Sequence, residues 1–354
     1  MHSKRTMSKI LLPLLGILVL ILDGKTAVTG AADAIEICLQ TVIPSLFPFF
    51  LLSILLTGSL TGIRIHLLSP FRKMCAIPKG AESLFVIGLL GGYPTGAQAV
   101  AEAYEKRQIS KQAAQRMLGF CSNAGPAFIF GICSRLFASA TAVWLLWAIH
   151  LVSAVAVGII LPRSPEEECL IQEKTVALPY AFRKSIYIMA SVCGWIILFR
   201  VLITFLNRWF LWLLPQQGGI LLTGIIELTN GICLLSDCES EGLRFIISAS
   251  TLGFGGICVG MQTVSVTVKT GTGWYFPGKL FQGTFSLFLS LITANFLYGP
   301  IAYGKFAVMI TGIICCILFL ILRYYKITVD FLRNRMYNNQ KSAREFQPCC
   351  FERK

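Results

Sequence analysis

Charge is scarce in this chain: Asp, Glu, Lys and Arg supply 14% of 354 residues, against 55% hydrophobic residues and a mean hydropathy of +0.70. That balance excludes an ordinary pair of soluble domains and points to a polytopic membrane protein. Histidine is scarcer still, with three in all, so metal or acid-base chemistry would rest on very little. There is no HExxH, no GxSxG, no GxxxxGK[ST] and no Cys/His pair at catalytic spacing, so the common hydrolase and phosphate-binding signatures are missing. No enzyme activity, metal or cofactor is expected. Thirteen cysteines are present without a CxxC pair. They read as small buried apolar residues, neither a disulfide framework nor a zinc site.

What is abundant is apolar sequence. Runs long enough to cross a bilayer, roughly 20 residues each, centre on 43–62, 138–161, 184–206, 218–236, 279–299 and 305–324. A further span, 112–136, is interrupted by polar residues. The net charge of +14 would suggest nucleic acid for a soluble domain, but much of it lies in loops and tails. Retention of positive loops inside the cell explains it without nucleic acid. The stretch from Arg323 to Lys354 holds eight Lys or Arg against three acids, which places the C-terminus in the cytoplasm.

Read in order, the chain divides into an N-terminal helix and amphipathic interfacial helix (1–42), a first repeat (43–161), a polar linker (162–183), a second repeat (184–325) and a basic cytoplasmic tail (326–354). The apolar run Ile10 to Leu22 is short enough for a signal peptide, but no small-residue cleavage site follows, which favours a retained helix. Asp33, Glu36 and Gln40 lie at helical spacing beside apolar residues, as on a short helix at the interface. Pro48 should bend the helix that follows. The acid-free loop 64–73 belongs on the cytoplasmic side.

Residues 82–106 consist of a short apolar arm, a glycine break and an Ala-rich arm. Neither arm can span, so a re-entrant hairpin is the natural reading. Residues 243–270 repeat the pattern and would form a second hairpin. Between them, Asn123, Gly125 and Pro126 break the span 112–136, and Glu227, Thr229, Asn230 and Gly231 interrupt 218–236. His150 is an intramembrane ionisable residue that the flanking Trp144 and Trp147 could instead place near an interface. Whether the repeats are inverted depends on the span count across 200–236, which the loop charges leave open.

The two breaks share GGxxxGxQxV at an offset of 164 residues, Gly91 to Val100 and Gly255 to Val264. A glycine-rich break at membrane depth is tolerated where protein or a polar cavity covers it. Two hairpins meeting broken helices describe the midplane site of many secondary transporters. Half-helix N-termini would offer N–H groups and a positive dipole end to an anion, with no lysine or arginine in either repeated segment. The candidate substrate residues are Gly91, Gly92, Tyr93, Pro94, Thr95, Gly96, Gln98, Asn123, Gly125, Asn230, Gly255, Gly256, Gln262 and Thr263. Glu227 would carry a coupling proton or hold a cation, since a mid-membrane carboxylate costs about 2.5 kcal/mol or more unless paired, solvated or protonated. The competing explanation is close helix packing through small residues, with Gln98 and Gln262 linking helices and Glu227 a protonated acid bonded to a neighbour.

Gly91-Gly92-Tyr93-Pro94-Thr95-Gly96-Ala97, Asn123-Ala124-Gly125-Pro126-Ala127-Phe128, Glu227-Leu-Thr-Asn230-Gly231 and Gly253-Phe-Gly-Gly256 with Gln262 together resemble the sporulation integral membrane protein YlbJ family, also called stage V sporulation protein VV. That family lies in the nucleoside-recognition or Gate-domain group, which is similar to concentrative nucleoside transporters. The resemblance covers roughly residues 40–325. Ser122 departs from it, standing where a second asparagine is expected. What the resemblance implies is transport of dipicolinate, a small planar dianion, across the mother-cell-derived membrane around the forespore. A nucleoside-like solute is the alternative substrate, and a non-transporting sporulation scaffold acting through its basic tail is the alternative role. The expected class is an all-α polytopic membrane protein with two structural repeats, each holding a re-entrant hairpin and a broken transmembrane helix. Its expected partners are the small solute, a coupling proton or sodium ion, the lipid bilayer and, optionally, further copies of itself.

Overall fold

The computed structural model describes residues 2–60, 68–163, 176–299, 307–322 and 324. The start of the 64–73 loop, most of the linker, the start of the apolar run 305–324 and the basic tail lie outside the described residues. Among those described the chain is helical, with no β-strand. Five segments are long and apolar enough to cross a membrane: Gly24–Ser59, Ala140–Ile160, Leu178–Trp209, Glu241–Val266 and Tyr275–Tyr298. This is an all-α, multi-pass membrane protein.

The first helix, α1 (His2–Leu22), is followed by α2 (Gly24–Ile37) and α3 (Ile43–Leu60), joined by a π turn over Cys38–Val42. The expected interfacial helix over 26–42 is therefore an extension of the first long span. Ile43 N–H donates to Cys38 O, one residue before Pro44, whose ring nitrogen cannot donate, so the widened turn absorbs the lost register. Helix α3 continues through Pro48. The buried face of α2, Thr26, Gly30 and Ala34, lies along α10 (Leu178–Trp209). Asp33 is paired there with Arg200 at 3.0 Å, and Asp23 with Arg208 at 3.2 Å. Of the polar stripe that looked interfacial, Asp33 is spent on its ion pair to a neighbouring helix, while Glu36 and Gln40 are exposed and bond each other at 3.0 Å.

Helix α10 buries Ala181, Ser185, Ile188, Val192, Ile196, Phe199 and Ile203 at steps of three or four, while Tyr187, Leu198 and Leu202 are exposed. An exposed apolar face of this length suits lipid, since hydrocarbon is no less apolar than leucine.

Between the spans the same order of elements occurs twice. After α3 and the short α4 (Ser69–Met74) come α5 (Glu82–Leu90) and α6 (Thr95–Glu105). The interrupted pair α7 (Lys111–Cys121) and α8 (Pro126–Gly131) follows, then the span α9 (Ala140–Ile160). After α10 come α11 (Gln216–Ile226) and α12 (Leu228–Leu234), the interrupted pair α13 (Glu241–Phe254) and α14 (Gly256–Val266), and the span α15 (Tyr275–Tyr298). A last apolar helix, α16 (Ala307–Leu322), follows. Helices α7 and α13 begin on serine caps, Ser110 and Ser240, whose hydroxyls accept from Ala113 N and Leu243 N. Each serine thereby satisfies one amide left free at its helix start.

This order revises two expectations. Residues 218–236 do not form a span, because the chain doubles back at Glu227. An added Cβ on Gly231 would collide with the Gly224 backbone, so α11 and α12 cross in contact. Residues 243–270 in turn form one long segment interrupted at Gly255, which has φ +82°, and α13 and α14 do not fold against each other. The doubled-back pair of the second half is 216–234. The two copies of GGxxxGxQxV therefore occupy different places, the first at the turn between α5 and α6, the second at the interruption of α13 and α14.

The two halves share a packing device. Helices α5 and α6 cross at Gly88 and Gly96, both pressed on the carbonyl of Cys121, where α7 ends. Helices α11 and α12 cross at Gly224 and Gly231, with Thr251 of α13 packed on Gly224. Each doubled-back pair is thus seated on the helix interruption of its own half.

Gly231→Ala is expected to destabilise the detergent-solubilised protein by about 1–3 kcal/mol through overpacking. Gly194→Ala, on α10 where an added Cβ meets nothing within 4 Å, should be neutral or gain roughly 0.5–1 kcal/mol. Thermal unfolding of the two variants checks the crossing, and equal stability would mean that α11 and α12 do not meet there.

Candidate functional site

The turn of the first doubled-back pair, Gly91 to Pro94, lies against the first interruption: an added Cβ on Gly92 would sit 2.9 Å from Gly125 N. The Tyr93–Pro94 bond is cis. The turn of the second pair lies against the second interruption, with the would-be Cβ of Gly256 3.3 Å from both Gly224 O and Leu228 N. Tyr93 joins the two junctions, its hydroxyl donating to Leu252 O at 3.2 Å.

Between the junctions is a small, partly open cavity of about 40 Å³. Gly91, Gly92 and Tyr93 line it from the first turn, and Ala124 and Gly125 from the first interruption. Glu227, Leu228 and Thr229 line it from the second turn, and Val259 and Gln262 from α14. Its apolar wall comes from Leu46 and Phe50 of α3 and Val192 and Ile196 of α10. Of the candidate residues, Gly91, Gly92, Tyr93, Gly125, Gln262 and Glu227 are brought together at this wall. Pro94, Thr95, Gly96, Asn123, Asn230, Gly255, Gly256 and Thr263 stand in the turns, interruptions and helices around it without lining it. Gln98 points elsewhere, its Nε2 donating to Glu102 Oε1 at 3.0 Å.

Glu227 caps α12. Oε1 accepts from Thr229 N at 3.0 Å, and Oε2 accepts from Asn230 N and Asn230 Nδ2, both at 2.6 Å. The first amides of α12 are thereby occupied by the protein's own carboxylate, so they are not free for an anion. This reverses part of the helix-end expectation. Asn230 acts as a relay: its Oδ1 accepts from Arg200 Nη1 at 3.1 Å, and Arg200 Nη2 donates to Asp33 Oδ2 at 3.0 Å. A continuous polar chain runs from the cavity wall through α12 and α10 to α2.

The first interruption carries a second network. Ala124 N, freed by the break, donates to His150 Nε2 at 3.0 Å, so this histidine serves the backbone of the site. Asn123 Oδ1 accepts from Gln282 Nε2 at 3.0 Å and from Lys279 Nζ at 3.4 Å. Lys279 also donates to Gln282 Oε1 at 2.7 Å, and its ammonium lies 5.2 Å from the centre of the Tyr93 ring. Lys279 is 1% exposed.

Arg200 and Lys279 were missed by the sequence reading. Arg200 stands inside an apolar span, where a charged residue marks a site by default, and that signal was present in the sequence. Lys279 read as the flank of the apolar run 279–299. The helix starts four residues earlier, at Tyr275, and so carries the lysine inward.

Fold and site together define an all-α polytopic membrane protein with a small, partly open cavity between two turn-and-interruption junctions. The chain is 29% identical over 311 residues to the sporulation integral membrane protein YlbJ of Bacillus subtilis, covering 73% of this chain and 75% of that protein. No protein-family model matches it, and no solved structure does either.

Arg200→Lys is expected to lose most of what Arg200→Met loses, about 1–3 kcal/mol, because one ammonium cannot bridge Asn230 and Asp33 as the forked guanidinium does. Unfolding midpoints of the two variants beside the wild type check this, and a fully stable lysine variant would remove the bridging role.

Proposed function

We propose that this protein is a secondary-type transporter of a small anionic metabolite. Dipicolinate is the leading substrate, carried from the mother cell toward the forespore during sporulation, across the mother-cell-derived membrane. The observation that carries the reading is the place of the cavity, lined by helix turns and helix interruptions contributed by both halves of the chain. Such a site at the interface of two similar sets of elements is how alternating-access carriers are built, with one set rocking against the other. On this reading α5–α6 and α11–α12 are re-entrant hairpins entering from the membrane faces. The similarity to a sporulation membrane protein supports the physiological setting.

Glu227 lines the cavity with a carboxylate, which opposes an anionic solute unless a cation is bound with it. A coupling proton or sodium ion at Glu227 supplies that charge. A nucleoside-like solute is the second reading, favoured by one observation: the polar side chains lining the cavity are those of Tyr93, Glu227, Thr229 and Gln262, with no lysine or arginine among them. The tail through which a non-transporting scaffold would act lies outside the described residues.

A thermal-shift panel on purified protein should show stabilisation by dipicolinate above other aromatic dicarboxylates and nucleosides. Stabilisation by nucleosides alone would hand the site to the second reading. Gln262→Ala, a cavity side chain whose one hydrogen bond is to Cys258 Sγ at 3.6 Å, should weaken ligand binding about tenfold, near 1.4 kcal/mol, without lowering the unfolding midpoint. It is a cleaner probe than Gly92→Leu, which the Gly125 backbone would resist. Glu227→Gln in reconstituted vesicles should abolish or uncouple flux, and unchanged, still pH-dependent flux would sink the coupling role.

A further inference from the structure

The buried lysine of α15 has no place in a site served only by helix ends. We infer that Lys279 is the charge that selects an anion in this cavity, a deeper statement of the site that rests on the anion-transport reading. Among the described residues no carboxylate lies within ion-pair distance of Lys279, and its hydrogen-bond acceptors are the neutral oxygens of Gln282 and Asn123. Burying an ammonium without an anion costs several kcal/mol, a cost that an anion arriving with the solute would offset.

Its position fits that use. Tyr93, whose ring stands 5.2 Å from the ammonium, is itself part of the cavity wall, as are Ala124 and Gly125 beside Asn123. The charge therefore sits one layer of side chains behind the wall on the α5–α8 side, held by Gln282 and Asn123 at a fixed point. In a water-poor interior a fixed charge acts across such a layer far more strongly than in solution. Glu227 faces the same cavity from the opposite junction. The site thus has a positive and a negative side, and an anionic group belongs on the Tyr93 side.

The test compares pyridine-2,6-dicarboxylate with the uncharged pyridine-2,6-dicarboxamide, of the same ring and substitution, by calorimetric titration of the full-length detergent-purified protein. Wild type should prefer the dicarboxylate. Lys279→Gln should weaken it about tenfold or more while leaving the dicarboxamide within about twofold, and Lys279→Arg should restore part of the preference. A parallel loss of both ligands would mean that Lys279 only supports packing, and overturns the inference. If Lys279→Gln does not fold, Gln282→Glu puts a carboxylate beside the ammonium and should remove the same preference; a preference that survives overturns the inference equally. Wild type binding both ligands alike overturns the role of Lys279 but leaves a neutral-solute carrier standing. Wild type binding neither overturns the anion-transport reading together with this one.

Discussion

A helix interrupted in hydrocarbon frees backbone groups that no water reaches, and each must find a partner within the protein. In this chain the partners are few and specific. Glu227 takes the amides of Thr229 and Asn230, and His150 takes the amide of Ala124. Those bonds permit the breaks, and the breaks create the cavity. The polar residues of the site are therefore structural before they are anything else, since removing one leaves a backbone group unserved.

The glycines have a companion role. Gly88 and Gly96 bring α5 and α6 onto the carbonyl of Cys121, and Gly224 and Gly231 bring α11 onto α12. Close approach of backbones is the usual purpose of small residues between membrane helices, and here it also places each turn against an interruption. Packing and the placing of the turns are not rivals at these glycines, since the same contacts accomplish both. Gly256 shows this, packed on Gly224 O and Leu228 N in the element beside the cavity wall.

Much of the architecture was legible in the sequence. Long apolar runs marked the spans, and Gly91, Gly92, Asn123, Gly125, Glu227, Gly255 and Gly256 marked the places where helices stop. What could not be read was which breaks are turns and which are interruptions, because a glycine pair permits either and the choice depends on tertiary contacts. The repeated GGxxxGxQxV string misled for that reason, equating a turn with an interruption. The amphipathic look of 26–42 misled similarly: a polar stripe is identical in sequence whether water or Arg200 answers it. Lys279 was hidden by its neighbours, since a lysine near the end of an apolar run usually reaches back to the membrane surface, and only the start of α15 at Tyr275 shows that this one points inward.

The charges around the cavity constrain any transport cycle. Asp33 and Arg200 form an ion pair, whereas Glu227 in the cavity wall and Lys279 behind Tyr93 have no ion-pair partner among the described residues. With both charged the pair sums to zero, but the two are separated, so each side of the cavity keeps its sign. A dianion entering this field gains on the Lys279 side and loses on the Glu227 side, and the loss ends once a cation occupies or protonates the carboxylate. Coupling on the proposed cycle would then follow from placement: the solute and the cation bind at opposite junctions, and each makes the other's binding less costly. The Asn230–Arg200–Asp33 chain runs outward from Glu227, so a change in charge at that carboxylate would reach α2 and α10 through hydrogen bonds already in place. Those two helices pack along each other over the length of α2, so such a change would be felt by both.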